Sequence, residues 1–89
     1  MRVRRRLVGS AEDAASALRR VCEVIRCASV DECSGIVLVK ERSDRPNWAT
    51  LRWVRSDGAG EEILFAWGHY GLPRTDAERD FWRRTVRGY

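Results

Sequence analysis

The sequence has one histidine, one methionine, two prolines and three cysteines, and Lys40 is its sole lysine. Each scarcity narrows what the chain does. His69 has no second histidine to share acid–base work, so catalysis there would need help from an arginine or Tyr70. The same residue could equally do no more than close a turn. Cys22, Cys27 and Cys33 are separated by four and five residues, whereas zinc ligands pair at about two to four and number four. On a helix, Cys22 and Cys27 would point about 140° apart. No metal and no disulfide framework is therefore expected. Free thiols suit a reducing cytoplasm, with Cys22 as a small core residue. No run of about 18 apolar residues exists for a membrane span, and no apolar signal segment follows the basic start, so a cytoplasmic location is expected. There is no Ser-His-Asp order, phosphate-cradling glycine loop or dinucleotide fingerprint, and no cofactor is expected.

What the chain does hold is arginine. Its 89 residues are 44% hydrophobic and 34% charged, which fits one folded domain over 1–89 rather than a disordered segment. Sixteen of the seventeen basic residues are arginine, a bias that a GC-rich coding genome would also produce. Their placement is uneven. Residues 1–8 carry four arginines and no acid. Residues 9–78 hold nine basic and twelve acidic side chains, and 79–89 hold four arginines against Asp80. Both ends are basic and the middle is mildly acidic.

Periodicity gives the expected elements. Residues 2–8 alternate, with Val3 and Leu7 on one side and Arg2, Arg4 and Arg6 on the other, as in a strand. Arg5 falls on the apolar side, where it must snorkel or pair with a group such as Glu41. Ser10, with Asp13 behind it, reads as a helix N-cap. Ala11, Ala14, Ala15, Leu18, Val21, Cys22, Ile25 and Ala28 then follow one helical face, predicting a helix over 10–29, with Glu23 pairing to Arg19. "GIVLVKER" is apolar on both faces and reads as an interior strand. Turn signals in "SDRPN" and "SDGAG" bracket strands at 48–55 and 61–67, the latter placing Ile63, Phe65 and Trp67 on one face. After Gly71 and Pro73, Thr75-Asp76-Ala77-Glu78 reads as a capping box before a closing helix striped by Ala77, Phe81, Trp82, Thr85 and Val86.

The expected fold is therefore α+β in two layers: an antiparallel sheet of three to four strands, one long helix on a face and a C-terminal helix, in the order β-α-β-β-β-α. Leu18, Val21, Ile25, Ile36 or Val37, Leu51, Phe65 and Trp82 are expected to share one core cluster. Trp53 and Trp67 are expected in the core. Trp48 starts its strand on the face of Thr50 and Arg52, either packed on the open sheet or offered to a partner.

The candidate partner-binding residues are Arg2, Arg4, Arg6, Trp48 and Arg52. Arginines roughly 7 Å apart along a strand match successive phosphates of an extended backbone. The same row would suit an acidic protein surface, or simply defend a sheet edge. Arg83, Arg84 and Arg87 are explained by the dipole at a helix C-terminus.

"RVRRRLV", the helix "SAEDAASALRRVCEVI", "CSGIVLVKER" and two further strands resemble, over about residues 1–67, the small phage-encoded anti-CRISPR proteins of β-α-β-β-β plan. The likeness lies in element order and charge; the helix after Pro73 departs from that plan. It implies a non-enzymatic inhibitor that binds a CRISPR effector complex and competes for its guide- or target-binding surfaces. "ILFAWGHYG" is similar to RelE-like toxins, which implies a small basic ribonuclease using His69, although those toxins carry two helices after the first strand. The expected role is binding to nucleic acid or a nucleoprotein complex. The alternatives are the ribonuclease and a subunit that self-associates, as a homodimer, through its sheet.

Overall fold

The computed structural model describes residues 10–44, 47–56 and 62–89. Among them the order is α1 (Ser10–Leu18), β1 (Glu23–Asp31), β2 (Ser34–Lys40), β3 (Trp48–Arg55), β4 (Ile63–Leu72) and α2 (Arg74–Arg87). The strands form one antiparallel sheet in the order β1-β2-β3-β4. The α+β class and the antiparallel sheet with a C-terminal helix are as the sequence predicts. The expected strand at 2–8, with Arg2, Arg4, Arg5 and Arg6, lies outside the described residues, as does most of the "SDGAG" turn.

The expected helix over 10–29 is half helix and half strand. Alanine-rich 10–18 is helical, the chain turns at Arg19 and Arg20, and Glu23–Asp31 is β1. Val24, Ile25 and Val30 are β-branched and favour a pleated surface. The helical spacing has a specific origin. A register shift between Val24 and Arg26 inserts an extra residue into β1. Val24 and Cys27 therefore face α1 together, three residues apart, while Ile25 and Ala28 share the opposite face. Val21, in the turn, is 74% exposed rather than core. Glu23 lies 3.9 Å from Lys40 across the sheet, and Arg19 pairs with Glu12 at 2.9 Å, so the expected Glu23–Arg19 pair does not form.

β2 is the interior strand expected of "GIVLVKER", and it divides the core. Val37 and Val39 pack with Ala14, Ala49, Leu51 and Trp53 under α1. Ile36 and Leu38 pack with Ala77 and Phe81 under α2. The helices thus cover opposite faces, and the sheet is a middle layer rather than half of a two-layer stack. The single expected cluster is two: Leu18, Val37, Leu51 and Phe65 belong to one, Ile25 and Ile36 to the other. Trp53 is fully buried, as expected, and its indole Nε1 donates to the Ala28 carbonyl at 3.2 Å. It lies across Gly35, where a Cβ would stand 2.6 Å from its ring. Arg55, also buried, ties α1 to the sheet through Asp13 at 2.6 Å.

The β1–β2 turn is closed by Asp31, whose Oδ1 accepts from the Cys33 N–H at 2.8 Å and the Ser34 hydroxyl at 3.0 Å. The Cys33 N–H is the main cause that holds the Asp31 carboxyl below its usual range. No helix among the described residues is long and apolar enough to cross a membrane.

Candidate nucleic-acid interface

The C-terminal half of β4 is where sequence and structure part most usefully. Period-two alternation from Ala66, which pairs with Arg52, would put Gly68 and Tyr70 on the α2 face and His69 on the other. Instead Trp67 adopts φ 49°, the register shifts by one residue, and His69 becomes the partner of Thr50. The bulge re-aims the histidine toward α2. Tyr70 folds over Gly68, where a Cβ would overlap the tyrosine ring. A second shift at Gly71, φ 66°, carries β4 on to Leu72.

The helix meets the re-aimed side chain with its own polar stripe. Proline occupies the N-cap of α2 without a side-chain cap bond, so the helix starts at Arg74 and the expected capping box does not form. From that start Ala77, Phe81 and Arg84 fall on the buried stripe. Asp80 Oδ2 accepts from the Thr50 hydroxyl at 2.5 Å and lies 2.7 Å from His69 Nδ1. Arg84, 1% exposed, donates to Thr50 Oγ1 at 2.9 Å and to the Thr50 carbonyl at 3.3 Å. Burial by itself would raise the Asp80 carboxyl. The Thr50 and His69 hydrogen bonds and the charges of His69 and Arg84 outweigh it and hold the carboxyl below its ordinary value. Burial lowers the Arg84 guanidinium against the pull of Asp80, and it stays protonated. Asp80, held by Thr50, thus engages Nδ1 of the imidazole, and Nε2 has no hydrogen-bond partner among the described residues.

Beside this network runs a cleft of about 310 Å³, lined by His69 and Leu72 from β4 and by Asp76, Arg79, Asp80 and Arg83 from α2. Neither Arg79 nor Arg83 has a hydrogen-bond or ion-pair partner among the described residues. Arg79, Arg83 and Arg87 follow one another at every fourth residue, a rise of about 6 Å per step. At the far end Arg87 lies 4.7 Å from the Tyr89 ring, and Tyr89 meets Trp67 edge-on at 6.4 Å. Trp67 is 61% exposed, and the Arg52 guanidinium stacks over it at 5.0 Å. Trp67 was expected in the core; its positive φ turns the indole out of the Ile63–Phe65 face.

Of the expected partner residues, Arg52 stacks on this exposed indole. Its Nε is buried without an acceptor among the described residues. Trp48 shares its sheet face but packs half-buried on the Ile36–Phe81 cluster, flanked by Lys40 at 5.9 Å and Arg74 at 5.6 Å. Arg2, Arg4 and Arg6 lie outside the described residues. Trp82, also expected in the core, is 53% exposed on the other flank of α2, edge-on to Phe81 at 5.1 Å and under Arg26 at 5.6 Å.

The thiols lie elsewhere. Cys22 and Cys27 donate to the carbonyls of Leu18 and Ala11 at 3.4 and 3.2 Å. Burial, with Glu12 adding to it, pushes the Cys27 thiol up to about 11, which makes it a poor nucleophile. No three His, Cys, Asp or Glu side chains converge among the described residues as a metal site would need. Comparison with known protein families, characterised proteins and solved structures finds no match.

Proposed function

We propose that this protein binds single-stranded nucleic acid in the groove between β4 and α2. The observation that carries the reading is the row Arg79, Arg83 and Arg87 beside the exposed Trp67–Tyr89 pair, with Arg52 stacked on Trp67. Guanidinium groups one helical turn apart suit successive phosphates of an extended chain, and outward aromatic rings supply sequence-tolerant base stacking. Arginine on a tryptophan face adds a cation–π contact that a stacked base would extend. Inhibition of a CRISPR effector, which the anti-CRISPR resemblance implies, is one case of this reading, in which the bound chain is a guide or displaced strand. The test is fluorescence anisotropy of a labelled single-stranded oligonucleotide. Trp67→Ala is expected to cost about 1–3 kcal/mol of affinity. Trp82→Ala, on the opposite flank, is expected to leave it unchanged. Equal losses from the two variants would overturn the assignment of the groove.

The His69–Asp80 hydrogen bond favours a second reading, RNA cleavage with His69 Nε2 as general base. It predicts scission of RNA but not of DNA, abolished by His69→Ala. RNA that stays intact with the wild-type protein, free or on ribosomes, rules it out.

A further inference from the structure

We propose that His69 is a proton-gated phosphate anchor: its imidazolium Nε2, with Arg79 and Arg83, holds one phosphate of the bound chain in the cleft. The inference rests on the single-stranded reading and adds to it a ligand group, a position and a pH dependence.

The chemistry follows from how the ring is held. Asp80 is fixed by the Thr50 hydroxyl and, behind it, by Arg84. Its Oδ2 takes the Nδ1 side of the imidazole at 2.7 Å. A neutral ring that donates Nδ1–H to Asp80 presents Nε2 as a bare acceptor, which repels a phosphate oxygen. The protonated ring donates from both nitrogens, Nδ1–H to Asp80 and Nε2–H as a charged donor toward the cleft. Protonation therefore reverses the sign of the interaction with an anion rather than merely strengthening it.

The surroundings decide that the ligand is an anion. From α2, Asp76, Arg79, Asp80 and Arg83 face the imidazole across the cleft. From β3 it meets Thr50, with Arg84 behind; α1 lies on the other face of the sheet. Asp80 is committed to Thr50 and His69, whereas Arg79 and Arg83 are paired to nothing among the described residues. Two guanidinium groups and the imidazole thus line one cleft, with Asp76 as an opposing charge.

The experiment has three arms on the full chain. The first measures affinity for a single-stranded DNA probe, which lacks the 2′-hydroxyl and survives any transesterification, at about pH 5.5 and about pH 7.5. Wild type is expected to bind about tenfold more tightly at the lower pH, the yield of one charge-assisted hydrogen bond. His69→Gln should lose that pH dependence. The second arm follows the His69 ring signals by NMR as inorganic phosphate is added at pH 5.5. Saturable shifts support the anchor. Their absence, or a pH dependence that persists in His69→Gln, overturns it. The third arm is Trp67→Ala at pH 7.5, which reports on the groove alone. If Trp67→Ala loses affinity while the first two arms are flat, the anchor fails and the groove stands. If phosphate moves His69 but no oligonucleotide binds, the anchor stands as an anion site and the single-stranded reading fails.

Discussion

At the scale of single residues, Thr50 holds the candidate site together. Its hydroxyl donates to Asp80 and accepts from Arg84, so one buried oxygen bridges two ionised groups. Thr50→Val keeps the shape and removes both bonds. Calorimetric unfolding should show a loss of about 1–3 kcal/mol, the cost of leaving buried partners unsatisfied. Asp80 makes a distinct prediction. Its carboxyl is held below the ordinary value in the fold, so it contributes stability above the unfolded carboxylate range of about 3.9. That contribution is lost as pH falls through the lower folded value. Asp80→Asn should therefore reduce stability at neutral pH and flatten its decline on acidification, as followed by thermal melts across pH. Little of this centre was legible in the sequence. His69 stood out because it is the lone histidine. Arg84 continues the Ala77–Phe81 stripe at helical spacing, a visible signal that the helix-dipole explanation hid. His69's approach to Asp80 and Thr50 depends on a bulge that no residue pattern announces.

At the scale of elements, two bulged strands account for the main differences between sequence and structure. In β1 an inserted residue spaces apolar side chains by three and imitates a helix, so 10–29 reads as one element when it is two. In β4 the bulge at Trp67 expels an indole that alternation assigns to the core and brings His69 to α2. A positive φ at a non-glycine residue costs roughly 1–2 kcal/mol. Trp67→Gly should therefore keep or raise the melting temperature while losing oligonucleotide affinity, a pairing of effects that a core tryptophan would not show. Trp53 behaves oppositely. It is buried across Gly35, and Trp53→Ala should cost about 3–5 kcal/mol in denaturant unfolding with no separate effect on binding. The interior strand β2, the strand at 48–55 and the closing helix were legible because each buries a regular period without interruption.

At the scale of the whole molecule, charge and aromatic placement give the fold its direction. α1 seals one face of the sheet. α2 seals the other over β1, β2 and β3, and on β4 the rings of Trp67 and Tyr70 are exposed. The basic C-terminal segment that composition singled out becomes one wall of the groove. The basic first eight residues lie outside the described residues, and their contribution is measurable without a structure. If Arg2, Arg4 and Arg6 contact phosphates, changing all three to Ala should lower the salt slope of binding by about one per lost contact, with folding intact. An unchanged slope would confine their role to the protein itself. The central claim is the location of the nucleic-acid chain, and photo-crosslinking tests it most directly. A single-stranded oligonucleotide carrying 5-bromouracil, irradiated with the protein and mapped by peptide mass spectrometry, should join to Trp67 and Tyr89. Adducts confined to Trp82 or to the α1 side around Val21, or no adducts at all, would contradict it.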